Sequence, residues 1–338
     1  MHYDAILLVS FGGPEKREDV IPFLENVLRG KNVPRERMLQ VAEHYYHFDG
    51  KSPLNDQNRK LIVALRREME KSGFHLPIYW GNRNWHPLLA DTLRAMQADG
   101  VHRALAFVTS AYSSYSSCRQ YLEDIARAQA QVGEGAPQID KLRAFYNHPG
   151  FIAAMTERAR EALAQISAER REAAQLLYTA HSIPLSMAQN CRYVEQLEEA
   201  CRLVSEALGR KGENDQLVYQ SRSGPPAQPW LGPDVLDSLR RLASAGRAGD
   251  VVVVPIGFIS DHMEVLYDLD VEAQGLCSQL GLRMIRAATV GTHPEFIRMI
   301  RDLIVERIQE NPSRKALGGL GPEPDVCRAG CCLPPRSP

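Results

Sequence analysis

The stretch Val251–Glu272 reads VVVVPIGFISDHMEVLYDLDVE. Its four consecutive valines form an apolar run that is typical of a strand buried on both faces of a parallel sheet. After Gly257 the pattern changes to that of a helix, and Asp261 is predicted to be its N-cap. The stretch therefore predicts a buried strand that leads directly into a helix, which is the local unit of an α/β protein.

Three carboxylates follow one another on the predicted helix. Glu264, Asp268 and Glu272 are spaced four residues apart, which places them near one face of a helix, with His262 beside them. Such a row is usually a solvated helix surface. This row, however, begins where a buried strand ends, and open α/β sheets bind their ligands at that edge. We therefore interpret it as part of a candidate site.

The composition excludes several classes of protein. The 338 residues include 40 basic and 41 acidic ones, so no net field favours nucleic acid or an anionic membrane. No apolar run approaches the roughly 20 residues of a membrane span, so we expect no integral membrane segment. The first residues, MHYDAILLVSF, have the pattern of a strand and lack the basic region of a signal peptide. We expect a cytoplasmic enzyme.

Strand and helix patterns alternate along most of the chain, which predicts an α/β fold with parallel sheets flanked by helices. The length suggests two Rossmann-like lobes with a cleft between them. We place the first lobe at residues 1–150 and the second at residues 151–310. The remaining residues, 311–338, are rich in Gly, Pro and Cys and form a tail without periodicity.

A second candidate residue is the histidine in Tyr178–Pro184, which reads YTAHSIP. His181 follows an apolar strand and precedes a proline turn, so it also lies at the carboxyl end of a strand. A single histidine is more often structural than catalytic. We expect this one to face the Glu264 row across the cleft, where imidazole and carboxylate could hold a divalent first-row metal or move protons. The spacing is not that of common zinc sites.

Several blocks of this sequence together resemble the ferrochelatase family from near the start to about residue 310. The blocks are LLVSFGGPE, FYNHPGFI, YTAHSIP, YQSRSGPPAQPWLGP and PIGFISDHMEVLYDLD. The resemblance implies a two-lobed chelatase fold with the active site in the cleft between the lobes. It also implies a lyase of haem biosynthesis that inserts ferrous iron into a porphyrin and releases two protons.

The resemblance assigns roles to the residues of both candidate stretches. It implies that His181 and Glu264 are the catalytic pair, acting as Fe²⁺ ligands and proton acceptors. It implies that Asp268 and Glu272 belong to an acidic row, a possible iron path, on a helix with π-type widening. His262 is then expected to organise the turn. Phe11 occupies a position where some relatives carry a tyrosine that contacts the metal, and phenylalanine cannot be a ligand.

The resemblance also bears on the substrate. Ser52 and Tyr121 match porphyrin-binding positions, and Arg29 is an expected partner of a propionate. The region Arg29–Tyr46 is polar and basic, which suits the four propionates of coproporphyrin III better than the two of protoporphyrin IX. The segments most similar to the actinobacterial coproporphyrin type are LLVSFGGPE, PFLENV, AEHYYHF and SSCRQYLEDIARA. We expect insertion into coproporphyrin III, giving coprohaem. Insertion into protoporphyrin IX, a non-catalytic haem or iron carrier and a redox-sensing regulator remain alternatives.

Finally, the resemblance implies a cofactor. Cluster-bearing relatives hold a 2Fe–2S cluster with three cysteines of the tail and one internal cysteine, and such a cluster needs four ligands. Cys327, Cys331 and Cys332 match the tail positions, and Cys118 matches the internal one. We expect the cluster to order the tail against the first lobe. We further expect a monomer that makes transient contacts with neighbouring haem-pathway enzymes and binds no nucleic acid.

Overall fold

The computed structural model describes residues 2–31, 33–225, 227–246 and 249–334, and it shows an α/β protein. The strands are β1 (Ala5–Ser10), β2 (Ile78–Asn82), β3 (Arg103–Val108), β4 (Gln138–Lys141), β5 (Gln175–His181), β6 (Asp215–Gln220), β7 (Asp250–Val254) and β8 (Arg283–Arg286). The α-helices are α1 (Val20–Leu28), α2 (Arg35–Tyr46), α3 (Leu54–Lys71), α4 (Leu89–Ala98), α5 (Gln120–Val132), α6 (Pro149–Leu163), α7 (Ala168–Arg171), α8 (Leu185–Ala188), α9 (Tyr193–Ala207), α10 (Val235–Ser244), α11 (Met263–Val265), α12 (Gln274–Leu280) and α13 (Pro294–Ile308). A 3₁₀ turn spans Arg17–Asp19, and π-helices span Tyr115–Arg119 and Leu266–Ala273.

The strands form two parallel sheets, one in each lobe. The first sheet has the order β2-β1-β3-β4, and the second has the order β6-β5-β7-β8. The expected α/β fold class is therefore confirmed. The edge strand β4 was not predicted, because its sequence QIDK lies next to the polar stretch and pairs only with β3.

The valines of β7 explain why this strand lies inside its sheet. All four are fully buried. Val251 and Val253 pack on the face covered by α10 and α12, whereas Val252 and Val254 pack on the opposite face. Because successive side chains of a strand point to opposite faces, an unbroken apolar run can fill two cores at once.

One core continues from the first lobe into the second. Phe107 of β3 stacks on Phe145 at 5.3 Å between ring centroids, and both rings contact Phe296 of α13. Helix α13 packs against both α3 and α6. The boundary placed at residue 150 falls in the first turn of α6, beside this shared core.

The tail after α13 contains no helix or strand within the described residues up to Pro334, and residues 335–338 of the predicted tail lie outside them. Polar contacts hold the tail in place. The buried Arg143 forms a bidentate ion pair with Glu306 at 2.8 Å and also donates to the Lys315 carbonyl at 2.9 Å. Further along, Glu323 pairs with Arg192, which immediately precedes α9. The tail therefore contacts both lobes.

Across the described residues, we find no helix that combines the length and the apolar character needed to cross a membrane.

Candidate active site

A close approach of two chain segments builds the site. After β7 the chain passes over the end of β5, where the Gly257 N–H donates to the Thr179 carbonyl at 3.0 Å. A Cβ at position 257 would lie 2.7 Å from Ala180, so only glycine allows this approach. The crossing brings the start of the acidic helical segment to the last residue of β5, which is His181.

His181 and Glu264 are in direct contact. His181 Nε2 lies 3.3 Å from Glu264 Oε1, and 32% and 44% of the two side-chain surfaces are exposed. The Nδ1–H of His181 donates to the Ser182 carbonyl, which leaves Nε2 facing the carboxylate. Both residues belong to the second lobe, so the expectation that they face each other across the cleft is wrong. They lie side by side on one wall because β5 and β7 are neighbouring strands.

The predicted N-cap at Asp261 is also wrong. His262 caps the segment instead, because its Nδ1 accepts a hydrogen bond from the Glu264 N–H at 3.3 Å. The Asp261 carboxylate is already used by Arg286 and Thr289, at 3.3 and 3.2 Å. Burial lowers the pKa of His262, which favours the neutral imidazole that a cap requires. His262 therefore organises the turn, as expected.

The charges of the pair stabilise one another. Burial on its own would lower the pKa of His181, but the carboxylate of Glu264 outweighs it and raises the pKa to about 9. Burial would likewise raise the pKa of Glu264, but the imidazolium outweighs it and lowers the pKa to about 2. At neutral pH the pair is an imidazolium and a carboxylate.

The acidic row continues from Glu264 along the π-helix that the family resemblance implied. Burial raises the pKa of Asp268 to about 7, with a further contribution from the charge of Glu264, although a hydrogen bond from Ser221 Oγ opposes the shift. Glu272 is exposed at the far end, and burial and Asp234 raise its pKa. The row thus runs from the pair to solvent.

Ser221 and Gln220 are site residues that the sequence reasoning missed. Gln220 Nε2 donates to the Glu264 carbonyl and lies 3.5 Å from Asp268 Oδ2. Ser221 adopts a φ of +61°, in a region that non-glycine residues seldom occupy. Strain of this kind is found at functional sites, but a Ser in a Pro- and Gly-rich loop does not reveal its φ from sequence.

Helix α2 supplies the opposing wall from the first lobe. The His44 ring stacks on Tyr267 of the π-helix at 3.7 Å between centroids. Burial raises the pKa of the neighbouring Tyr45 phenol, and the charge of Glu264 adds to this effect. Phe11, after β1, is 37% exposed and packs edge-on against Phe23. The site therefore lies between an aromatic wall and an acidic wall.

The three predicted porphyrin contacts occupy different environments. Ser52 is buried and packs so closely on Gly13 that a Cβ at position 13 would lie 2.7 Å from the serine Cβ. Gly13 thus makes room for Ser52 rather than for a ligand. Tyr121 is buried under the guanidinium of Arg83, which lies 4.6 Å from its ring centroid. Arg29 is exposed at the end of α1, where it donates to Asn26.

The tail brings its cysteines to the first lobe. Cys118 is buried in the Tyr115–Arg119 π-helix, close enough to Cys327 and Cys332 for these two thiols to act on its pKa. Cys327 and Cys332 lower the pKa of the Cys118 thiol, and Cys118 in turn raises the pKa values of these two thiols. The sulfurs of Cys331 and Cys332 are 3.4 Å apart. Arg119 holds the Cys331 carbonyl at 3.1 Å.

The four thiols fit a two-iron cluster by their chemistry. Each iron of a 2Fe–2S cluster takes two thiolates. The four sulfurs that hold such a cluster therefore lie farther apart than four sulfurs around a single metal ion. Within the part of the chain that the structure describes, no three His, Cys, Asp or Glu side chains are grouped to hold one metal ion. At the acidic wall, His181 and Glu264 are a contacting pair of side chains with ligand atoms, and their contact measures 3.3 Å.

The chain is similar to known proteins over nearly all of its length. A family model described as Ferrochelatase matches residues 3–308. A Rhodopirellula baltica protein named "Ferrochelatase" is 58% identical over 337 residues, covering 99% of this chain and 95% of that protein. A Streptomyces coelicolor protein named "Coproporphyrin III ferrochelatase" is 49% identical over 356 residues, covering 99% of this chain and 94% of that protein.

The fold is also similar to a solved structure. SirB from Bacillus subtilis with Fe3+ superposes with a TM-score of 0.56 at 12% identity, and the match covers 91% of this chain and 98% of that chain. At this low identity the likeness concerns the fold alone, which is a two-lobed chelatase fold.

Proposed function

The chain belongs to the ferrochelatase family, and on that premise we propose that it inserts ferrous iron into coproporphyrin III to form coprohaem in haem biosynthesis. The observation that carries the reaction is the contact of His181 with Glu264 at 3.3 Å on the wall of the cleft. The names of curated relatives such as the Streptomyces coelicolor protein support the substrate. The same contact gives a carrier no advantage, because binding alone needs no proton acceptor.

His181 is the proton acceptor in this proposal. Metal insertion releases two pyrrole protons, so a base must lie beside the macrocycle. Nε2 takes the two protons one after the other and passes each to water, which reaches it because His181 is partly exposed. Because Nδ1–H is held by the Ser182 carbonyl, Nε2 is the nitrogen that is free to take a proton. Nε2 is protonated at neutral pH while Glu264 is ionised, because the pKa of His181 is about 9. Iron on Glu264 offsets that carboxylate's charge, lowers the pKa of His181 and makes Nε2 a base.

The acidic row delivers the iron. Glu272 meets the ion at the exposed end, Asp268 receives it next, and Glu264 presents it to the porphyrin. Oxygen ligands can replace the water of the ion one step at a time along this row. Asp268 has a pKa of about 7, so it can exchange a proton for the ion near neutral pH. A pair of ligands suits an ion that must be passed on.

The preference for coproporphyrin III follows from the basic residues at the mouth of the cleft. Coproporphyrin III carries four propionates, and Arg29, Ser52 and Tyr121 are the proposed contacts. The lip formed by the end of α1 and by α2 carries Arg29, Lys31, Arg35 and Arg37. Charge-assisted hydrogen bonds are worth about 1.5–3 kcal/mol each. One additional bond to a propionate therefore accounts for about a tenfold preference or more.

We also propose that Cys118, Cys327, Cys331 and Cys332 hold a 2Fe–2S cluster. The convergence of these thiols supports it. Iron insertion changes no oxidation state, so the cluster would order the tail and would not supply electrons. The hydrogen bond from Arg119 to the Cys331 carbonyl then helps to keep the tail on the π-helix that carries Cys118.

For the cellular setting we propose a cytoplasmic monomer that contacts neighbouring haem-pathway enzymes transiently. The seven cysteines are free, which is typical of a reducing compartment. Cell fractionation and sedimentation of the purified protein test these two points.

The decisive experiment is a competition between coproporphyrin III and protoporphyrin IX under anaerobic conditions with ferrous iron. We expect kcat/KM for coproporphyrin III to be at least about tenfold higher. Preference for protoporphyrin IX would overturn the substrate, whereas tight porphyrin binding without insertion would overturn the enzyme and favour a carrier.

A further inference from the structure

Gln57 joins the two lobes immediately beside the acidic segment. Its Nε2 donates to the Asp261 carbonyl at 3.3 Å, and its Oε1 accepts from the Asp261 N–H at 3.0 Å. A side-chain amide thus pairs with both backbone groups of one residue across the lobe boundary. Such a doubly bonded contact fixes direction as well as distance, because both bonds must be aligned at once.

On the first-lobe side, the contact starts from a firmly held helix end. Gln57 lies in the first turn of α3. This turn is tied to the glycine turn after β1, because Asn55 Nδ2 donates to the Gly13 carbonyl at 3.2 Å and the Ser52 N–H donates to the Pro14 carbonyl at 2.8 Å. Gln57 is therefore rigidly connected to Ser52, the proposed porphyrin contact.

On the second-lobe side, Asp261 is held just as firmly. Its carboxylate accepts hydrogen bonds from Arg286, the last residue of β8, and from Thr289 shortly after it. Glu264 comes only three residues later, and the His262 cap fixes the turn between them. The position of the Glu264 carboxylate is thus set by a short, well-bonded segment that begins at the residue bound by Gln57.

We propose that Gln57 is a positioning residue for iron insertion, which sets the place of Glu264 and His181 relative to the porphyrin held by the first lobe. This inference rests on the proposed function. A displacement of about 1 Å between reacting groups can cost up to about 100-fold in rate. Loss of the contact therefore acts on kcat, whereas porphyrin binding, which depends on other residues, changes little.

The test compares Gln57→Met with Gln129→Met. Methionine keeps the length of the side chain but makes neither bond. Gln129 is the matched control, because its amide donates to the Pro137 carbonyl within the first lobe. We expect Gln57→Met to lower kcat about tenfold, to change KM for coproporphyrin III less than about twofold and to lower the melting temperature by no more than about 4 °C. The control should keep its kcat.

A second variant separates the two bonds. In Gln57→Glu the carboxylate still accepts from the Asp261 N–H but places an oxygen against the Asp261 carbonyl, so we expect a larger loss of kcat than in Gln57→Met. An unchanged kcat in both variants would overturn the inference. A fall in kcat/KM caused by KM alone, or an equal fall in kcat for Gln129→Met, would also overturn it.

Hydrogen exchange provides a measurement that does not depend on activity. In the unmodified protein the Asp261 amide should be protected, and residues 258–266 should exchange faster in Gln57→Met, with no change around Gln129. Equal exchange in both proteins would overturn the positioning role. If the unmodified protein inserted no iron, the proposed function would fail, while the exchange result would still decide whether Gln57 fixes this segment.

Discussion

His181 Nε2 lies 3.3 Å from Glu264 Oε1, although 83 residues separate them in the chain. The contact exists because β5 and β7 are neighbours in the second sheet and the chain after β7 passes over the end of β5. It holds the imidazole as a cation and the carboxylate as an anion before any substrate is present. In the proposed reaction, proton transfer and metal binding are therefore linked through this one pair.

Replacement of His181 by alanine should abolish insertion and leave porphyrin binding nearly unchanged. The variant lacks the base but keeps the aromatic wall of the cleft. We expect kcat to fall at least about 100-fold, the usual contribution of a general base. His102→Ala, which changes an exposed histidine, is the control. Timed iron-insertion assays measure kcat, and porphyrin fluorescence titrations measure porphyrin binding. Retained activity would show that His181 is not the base.

The activity should rise with pH until His181 loses its proton. Because kcat/KM reports the free enzyme and the pKa of His181 is about 9, we expect the rise to have its midpoint near pH 9. In Glu264→Gln the charge that raises the pKa of His181 is gone. The midpoint of the pH profile should therefore move at least about one pH unit lower, and the maximal kcat/KM should be smaller. Glu161→Gln, which changes an exposed carboxylate of α6 outside the acidic row, is the control. Identical midpoints in all three proteins would contradict the ion pair.

The cysteine set should produce colour. Protein made with ample iron is expected to be reddish-brown with thiolate-to-iron absorption, and Cys118→Ser should lose that absorption because a ligand is missing. Cys191→Ser is the control, since this thiol donates to the Met187 carbonyl at 3.3 Å and a hydroxyl can do the same. Absorption spectra and iron and sulfide analysis provide the measurement. A colourless unmodified protein would exclude the cluster.

His148 should make the fold sensitive to acid. It caps α6 with its Nδ1, which accepts from the Gly150 N–H at 3.1 Å, and it is fully enclosed. Burial, with the Arg143 charge, lowers its pKa to about 4, whereas an unfolded histidine titrates near 6.5. The unfolded chain thus binds more protons, so stability falls as the pH falls from 6.5 to 4. We expect a loss of about 2 kcal/mol between pH 7 and pH 5 from this residue.

Two variants at this position separate the cap from the charge. In His148→Asn the cap is kept, so the pH dependence should flatten with little loss at pH 7. In His148→Ala the pH dependence should flatten equally, but the lost cap should cost about 1 kcal/mol at pH 7. Urea unfolding at both pH values measures this, and an unchanged acid response in the two variants would show that another group is responsible.

The strand and helix order could be predicted because its signals are local. The valines of β7 and the amphipathic helices can be recognised from the side chains alone. The short edge strand β4 could not, because its sequence QIDK lacks an apolar run and it is ordered by pairing with β3. An edge strand needs only one neighbour and one buried face, so its sequence contains little evidence of its conformation.

The sequence indicated His181 and Glu264 as candidate site residues but did not indicate how they are arranged. Asp261 and His262 are both able to cap a helix, and the choice between them depends on Arg286 and Thr289, which occupy the Asp261 carboxylate from elsewhere in the chain. The placement of His181 and Glu264 on one wall depends on strand order, which periodicity does not reveal. Gln57 has no local signal at all, because its partner is a backbone 204 residues away.

The strand orders of the two sheets are those of a duplicated unit. In each half the second strand of the chain lies at the edge, followed by the first, the third and the fourth. In each half, too, a π-helix follows the third strand, at Tyr115–Arg119 after β3 and at Leu266–Ala273 after β7. No repeat is evident in the amino-acid sequence, yet each half places a π-helix after its third strand. One copy uses it to present the thiol of Cys118, and the other uses it to present the carboxylate of Asp268.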